Sequence, residues 1–132
     1  MPHLQFEINK KLNKDLKEKF IKFVEVSFSE IMQTGTDHVA ISIREFEKSN
    51  LSLGRAKNHQ FICLMNLDIR SGRTLNQRKQ LVQILINGVK DFFGINFKNQ
   101  YVTITNHPGE EFNFFEKSLT DWIKDDDPTN KI

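Results

Sequence analysis

Near its start the chain reads Pro2-His3-Leu4-Gln5-Phe6-Glu7-Ile8, with Leu4, Phe6 and Ile8 alternating with Gln5 and Glu7. A period of two predicts a half-buried strand. Proline is tolerated at the first strand position, where it removes no ladder hydrogen bond. The period then changes. From Asn13 to Thr34, Leu16, Phe20, Phe23, Val24, Ser27 and Ile31 recur at helical spacing with lysines opposite. This predicts an amphipathic helix, with Asn13 as N-cap and Gly35 as its stop. Val39, Ile41 and Ile43 alternate with Ala40, Ser42 and Arg44 and predict a second strand. Lys48 to Gln60 is a polar loop with room for a short hairpin.

The third predicted strand, Phe61 to Ile69, is the most apolar stretch, and its first residues are apolar on both faces. Arg70-Ser71-Gly72-Arg73 makes a turn, and Thr74-Leu75-Asn76-Gln77 reads as a capping box that opens a second helix. That helix should bury Leu81, Leu85, Val89 and Phe92 with Val82, Ile86 and Phe93, and end at Gly94. Gln100 to Thr105 predicts a fourth strand, broken by His107-Pro108-Gly109. Strand, glycine-ended helix, strand thus occurs twice, over residues 2–46 and 61–106. Right-handed crossovers would lay both helices on one face of a four-stranded mixed sheet, an α+β fold in a single domain. The other face is expected to be bare and apolar, with Ile62 and Leu64 (or their odd-numbered neighbours) on it. Such a face needs cover, and a second copy of the chain is the simplest cover. The tail, 110–132, carries Phe112, Phe114, Phe115 and Trp122, expected to be buried, and then a polar, mobile end over 125–132.

Composition narrows the class. The 132 residues suit one domain, and 12 phenylalanines make its core aromatic-rich. Net charge is only +2, from 19 Lys+Arg against 17 Asp+Glu. The early lysines, Lys10 to Lys22, are interleaved with Asp15 and Glu18, which describes a solvated helix face and not a nucleic-acid footprint. No run approaches the ~20 apolar residues of a membrane span. The single cysteine, Cys63, excludes an intrachain disulfide, fits a reducing cytoplasm and lies among apolar neighbours as a core residue. His3, His38, His59 and His107 lack metal-ligand spacing.

Met1 before Pro2 is a pair from which the methionine is normally trimmed, which would leave a secondary amine at the head of the first strand. By itself this is an ordinary start. An α-amino group titrates near pH ~7.7–8.0, so burial or a nearby cation makes it a neutral base at working pH. Arg73, in the turn that closes the third strand, is the candidate cation. Without Pro2 it would be an ordinary turn arginine.

Together, Pro2 opening a strand, the duplicated βαβ pattern and Gly72-Arg73 after the third strand resemble the tautomerase superfamily. Within it the chain resembles the 5-carboxymethyl-2-hydroxymuconate isomerases. The resemblance rests on Met1-Pro2-His3, Thr34-Gly35, Ala56 through His59, Met65-x-Leu67-x-Ile69 and Gly72-Arg73-Thr74-Leu75 with Arg78. It spans residues 1–105 and is thin in the tail. It implies a trimer and a cofactor-independent isomerase acting on a small unsaturated carboxylate. Pro2 would be the general base and Arg73 the anion-binding group, with Arg44 matching the arginine late in the second strand. Arg44 is equally readable as a solvated strand end.

Two departures keep other chemistries open. Where relatives carry a histidine past the second strand, this chain has Phe46-Glu47. Arg70-x-x-Arg73 has the two-arginine spacing of the cis-3-chloroacrylic acid dehalogenases, without clearly placed acidic and aromatic partners; Arg70 is substrate-facing or solvated. Malonate semialdehyde decarboxylases share the proline and paired arginines. A trimeric binding module that kept the fold and lost the chemistry is the non-enzymatic alternative.

Overall fold

The inner face of the sheet is set by the even residues of the first strand and the odd residues of the third. In a computed structural model, which describes residues 2–57 and 59–124, these fall on β1 (Pro2–Ile8) and β3 (Cys63–Arg70). Leu4, Phe6 and Ile8 are fully buried there, as are Cys63, Leu67 and Ile69. The remaining elements are α1 (Lys14–Met32), β2 (Ala40–Glu45), α2 (Leu75–Phe93) and β4 (Gln100–His107). The sheet order is β2-β1-β3-β4. The outer pairs are parallel, β1 with β2 and β3 with β4, and the central β1–β3 pair is antiparallel. The α+β fold, four-stranded mixed sheet and duplicated βαβ order are as predicted.

Both helices close over the inner face through phenylalanine. Phe20 lies with ring centroids 5.0 Å from Phe6 and 4.7 Å from Phe93, and Phe23 lies 5.3 Å from Phe92. Such pairs add about 0.5–1.5 kcal/mol each beyond area burial. Gly88 permits this approach, since a Cβ there would stand 2.4 Å from Cε2 of Phe23. Asn13 caps α1, accepting from Leu16 N–H at 3.1 Å. The Thr74–Gln77 capping box is complete, and Gly94 ends α2 at φ 69°. Residues Phe92, Val82 and Ile86 are half-buried, while Leu81, Leu85, Val89 and Phe93 form the inner stripe.

Several elements depart from expectation. The α1 helix stops at Met32, with Gln33 and not Gly35 taking the left-handed turn at φ 51°. Thr34 N–H reaches back to Ser29 carbonyl at 3.2 Å, and Ser29 Oγ donates to Thr34 carbonyl. Leu16 is 39% exposed, because the inner stripe of α1 begins one turn later at Phe20. The 46–62 connection holds a 3-10 turn at Lys48–Asn50, and no hairpin strand among the described residues. β3 starts at Cys63, because Asn9 captures the preceding residue: its Oδ1 accepts Ile62 N–H at 2.7 Å.

The uncovered sheet face is the largest correction. It is polar. Register places His3, Gln5 and Glu7 of β1 beside Ser42 and Arg44 of β2, with Asn66 and Asp68 of β3 and Thr103 and Thr105 of β4. Leu64 and Tyr101 are its large apolar members, whereas Ile62 is buried at the corner. Asp68 organises this face, accepting from Gln5 Nε2 at 3.0 Å, Asn66 Nδ2 at 3.1 Å and His107 Nε2 at 2.9 Å. An apolar face is therefore not a reason for this chain to associate.

The tail docks on its own chain. Leu119 and Trp122 are buried, but Phe112 and Phe114 are half-buried and Phe115 is 99% exposed. A bridge between Asn113 and Ser118, with Phe114 N–H on Lys117 carbonyl at 3.0 Å, turns the segment so that Phe115 sits at its tip. The expected mobile end, 125–132, lies outside the described residues.

Candidate functional site

The antiparallel register pairs Pro2 with Ile69. Arg70 is the next residue along β3, and the turn Ser71-Gly72 then delivers Arg73 to the start of α2. Pro2, Arg70 and Arg73 therefore gather at one end of the sheet, and all three are buried. Arg70 is fully buried, and its Nη1 donates to Thr120 carbonyl at 2.6 Å. Arg73 is 6% exposed, and its guanidinium lies over two aromatic rings, 4.9 Å from the centre of the Trp122 ring and 5.8 Å from that of Phe28. Ring contacts of this kind steady the plane of a guanidinium.

The tail makes this closure. Trp122 N–H donates to Ser71 carbonyl at 2.8 Å, and Gly109 N–H donates to Asp121 Oδ1 at 2.7 Å. Two glycines admit it: a Cβ at Gly72 would lie 2.2 Å from Trp122 carbonyl oxygen, and one at Gly109 would lie 1.9 Å from Thr120 carbonyl carbon. Ser71 is in turn fastened to β4, with N–H and Oγ both donating to His107 carbonyl at 2.8 and 3.1 Å.

Arg44 is not brought to this group within one chain. It aligns with Glu7, five residues along β1 from Pro2, and it is exposed on the uncovered face. Sequence reasoning also passed over two neighbours of the site. His38 is buried just before β2, whose register begins at Ala40 beside His3, so it stands at Pro2's end of the sheet. Its Nε2 lies 3.0 Å from Thr34 Oγ1. Trp122 was visible only as part of an aromatic tail; nothing in local spacing ties it to Arg73.

Open space is found elsewhere. Clefts of about 480 and 630 Å³ lie at the opposite end, around Asn9, Lys48 and the 46–62 connection. The first is lined by His59 with Lys48 and Lys57, and the second by Glu45 and Glu47 with Lys10, Lys11 and Lys48. A third cleft, about 600 Å³, is lined by Glu30, Gln33, Thr74 and Trp122. Trp122 thus lines this cleft and also contacts Arg73. Among the described residues no cluster of His, Cys, Asp and Glu could hold a metal ion, and no helix is long and apolar enough to cross a membrane. Burial, with the Glu7 carboxylate adding to it, pushes the Cys63 thiol far above its usual range, as expected of a core residue.

No family model matches the sequence, and no curated protein matches it. Solved structures do match. A fused 4-OT described as a wild-type symmetric trimer superposes with a TM-score of 0.78 at 17% identity, covering 89% of this chain and 94% of that one. N1, a member of the cis-3-chloroacrylic acid dehalogenase family, gives 0.77 at 18% identity over 90% and 84%. A macrophage migration inhibitory factor-like protein from Entamoeba histolytica gives 0.76 at 14% identity over 89% and 98%. The strand that opens on Pro2, the paired βαβ units and these neighbours together show that the chain has the tautomerase-superfamily fold.

Proposed function

We propose that the chain is a cofactor-independent isomerase in which Pro2, once Met1 is removed, moves a proton within an unsaturated 2-hydroxy or 2-oxo carboxylic acid. The observation that carries this is the convergence of Pro2, Arg70 and Arg73 at one buried end of the sheet. The neutral amine takes the proton of the substrate 2-hydroxyl, or of an allylic carbon, and returns it elsewhere along the conjugated system. No net oxidation occurs, and the proton that leaves is the proton that is given back. Such acid–base help contributes typically ~10²–10⁴ in rate. A guanidinium close to the amine would disfavour its protonated form, leaving it neutral and able to accept a proton at working pH. Arg73, steadied by the Phe28 and Trp122 rings, receives the carboxylate or developing enolate oxygen in charge-assisted hydrogen bonds. The specific reading is 5-carboxymethyl-2-hydroxymuconate δ-isomerase activity.

A cis-3-chloroacrylic acid dehalogenase-like activity is the second reading, supported by the burial of both arginines of Arg70-x-x-Arg73. We further propose a homotrimer. Arg44, remote from Pro2 of its own chain, would then serve the site of a neighbouring copy.

Intact mass of the purified chain, with assay of 2-hydroxymuconates, phenylenolpyruvate and 3-haloacrylates, tests the proposal. Turnover is expected only after Met1 is lost, because an amide nitrogen cannot accept the proton. Full-rate turnover by a chain that keeps Met1, or by one acylated at Pro2, rejects the proline base. Halide release without proton shift selects the second reading. Absence of turnover across the panel favours a non-catalytic module.

A further inference from the structure

We infer that the cleft of about 480 Å³ at the end of the sheet opposite Pro2 is an anion site, and that it takes the phosphomonoester of a small, partly apolar molecule. The inference does not depend on the chemistry proposed at Pro2. Charge is its first ground. Lys48 and Lys57 line the cleft, His59 adds an imidazole, and among the described residues no carboxylate lines it. The adjoining cleft of about 630 Å³ shares Lys48 but is lined also by Glu45 and Glu47, so its charge is mixed. Ser49 and Ser52 bring hydroxyl donors to the first cleft. A phosphomonoester carries close to two negative charges at neutral pH and three strong acceptor oxygens. Two ammonium groups match that charge, and the hydroxyls and an imidazole N–H match the oxygens. A carboxylate, with one charge and two oxygens, would leave part of this set unused. Leu51, Leu53, Ala56 and Ile62 make the rest of the lining apolar, which suits an organic body on the phosphate and not the free ion. The volume falls within the ~300–1,000 Å³ usual for small-molecule sites.

The lining is fixed before any ligand arrives. Two of its residues are buried, Asn9 at 2% and Ile62 at 5% exposure. Asn9 fastens the connection to the end of β1: its Oδ1 accepts Ile62 N–H at 2.7 Å, and its Nδ2 donates to Lys48 carbonyl at 3.0 Å. Lys48 Nζ donates to His59 carbonyl and lies 4.6 Å from the centre of the Phe61 ring. That ammonium is thereby placed, with two N–H groups still to give. His59 takes φ 70°, a conformation unfavourable for a residue with a Cβ, and the Lys48 bond holds its carbonyl there. Gln60 Oε1 accepts both Lys57 N–H at 3.2 Å and Asn99 Nδ2 at 3.1 Å, which ties the Lys57 side of the cleft to the turn before β4. Donors placed in advance lose less freedom on binding, which favours affinity.

The probe is phenyl phosphate, titrated into the full chain at neutral pH and followed by amide NMR, with sodium chloride of equal ionic strength as control. Saturable shifts are expected at Ser49, Ser52, Lys57 and His59, at a lower half-saturating concentration than benzoate or inorganic phosphate requires. Lys57 is exposed, so its replacement leaves the fold intact. Lys57→Ala should raise the half-saturating concentration by roughly three- to tenfold, and Lys57→Arg, which keeps the charge, should stay near the parent. Lys79→Ala removes an equal charge outside the cleft and should change nothing. Absence of saturable shifts, the same shifts with chloride, or equal effects of Lys57→Ala and Lys79→Ala would each overturn the site. Shifts gathered only around Pro2 and Arg73 would overturn it too, by placing the anion at the other end of the sheet. Benzoate or inorganic phosphate binding as tightly as phenyl phosphate would overturn the phosphomonoester assignment. This titration reads no turnover, so its failure and that of the Pro2 chemistry are told apart.

Discussion

At Gly72 the backbone stands at φ +124°, and a side chain would collide with Trp122 carbonyl oxygen at 2.2 Å. Gly72→Ala therefore meets strain and overlap together and should lower stability by about 1–3 kcal/mol, read as a reduced midpoint in thermal unfolding. A midpoint within experimental scatter of the parent would show that the tail is not pressed against this turn. Cys63 is fully buried with its thiol held protonated by burial. Native protein at pH 8 should thus leave Cys63 unlabelled by a thiol reagent over hours, and label it at once in denaturant; rapid native labelling would contradict the packing. The apolar neighbours of Cys63 and the turn around Gly72 were legible in the sequence. Arg70 was not: its Nη1 donates to Thr120 carbonyl, 50 positions later, and no local pattern encodes which carbonyl a distant segment will offer.

Among the elements, the ones that carry their own punctuation were the easiest to read. Thr74 and Gln77 announce α2, and Gly94 ends it, as the structure shows. The end of α1 was misplaced because Gln33 adopts a conformation usually left to glycine, held there by Ser29 and Thr34. The start of β3 was misplaced because Asn9, one strand away, takes Ile62's N–H. The end of β2 offers a pH test. Glu45 accepts the Leu12 N–H and a 3.1 Å bond from Lys17, which holds its carboxyl below the usual carboxylate range, the Leu12 bond contributing most. A lowered folded-state value stabilises the fold above about pH 4.3, the ordinary glutamate value, and is lost as pH falls through the folded one. The pair is solvent-exposed, so the effect is modest. Glu45→Gln should be slightly less stable than the parent at pH 7 and indistinguishable at pH 3 in urea titrations; equal stability at both pH values would refute the tie.

For the whole molecule, the alternation of apolar positions made the mixed sheet and its helix layer legible, but it misjudged the second face. The apolar start of the third strand suggested an oily surface; most of that stretch turned inward and left a hydrogen-bonded surface centred on Asp68. If copies meet there, they meet through polar groups, which salt screens. Sedimentation at micromolar concentration should give three times the chain mass at low salt and a measurable loss of that species in molar sodium chloride. A single-chain mass at low salt would refute the trimer. The sheet order has one more consequence. β2 and β4 stand at its margins, each with one side unpaired by any strand among the described residues. β2 is short and ends in the charged pair Arg44-Glu45, which discourages strangers. β4 runs Gln100-Tyr101-Val102-Thr103-Ile104-Thr105-Asn106 without a charge, a glycine or a proline. That is the composition of segments that stack into fibrils, so the margin through which this sheet could be extended by a neighbour's strand is also the one through which it could be extended without end.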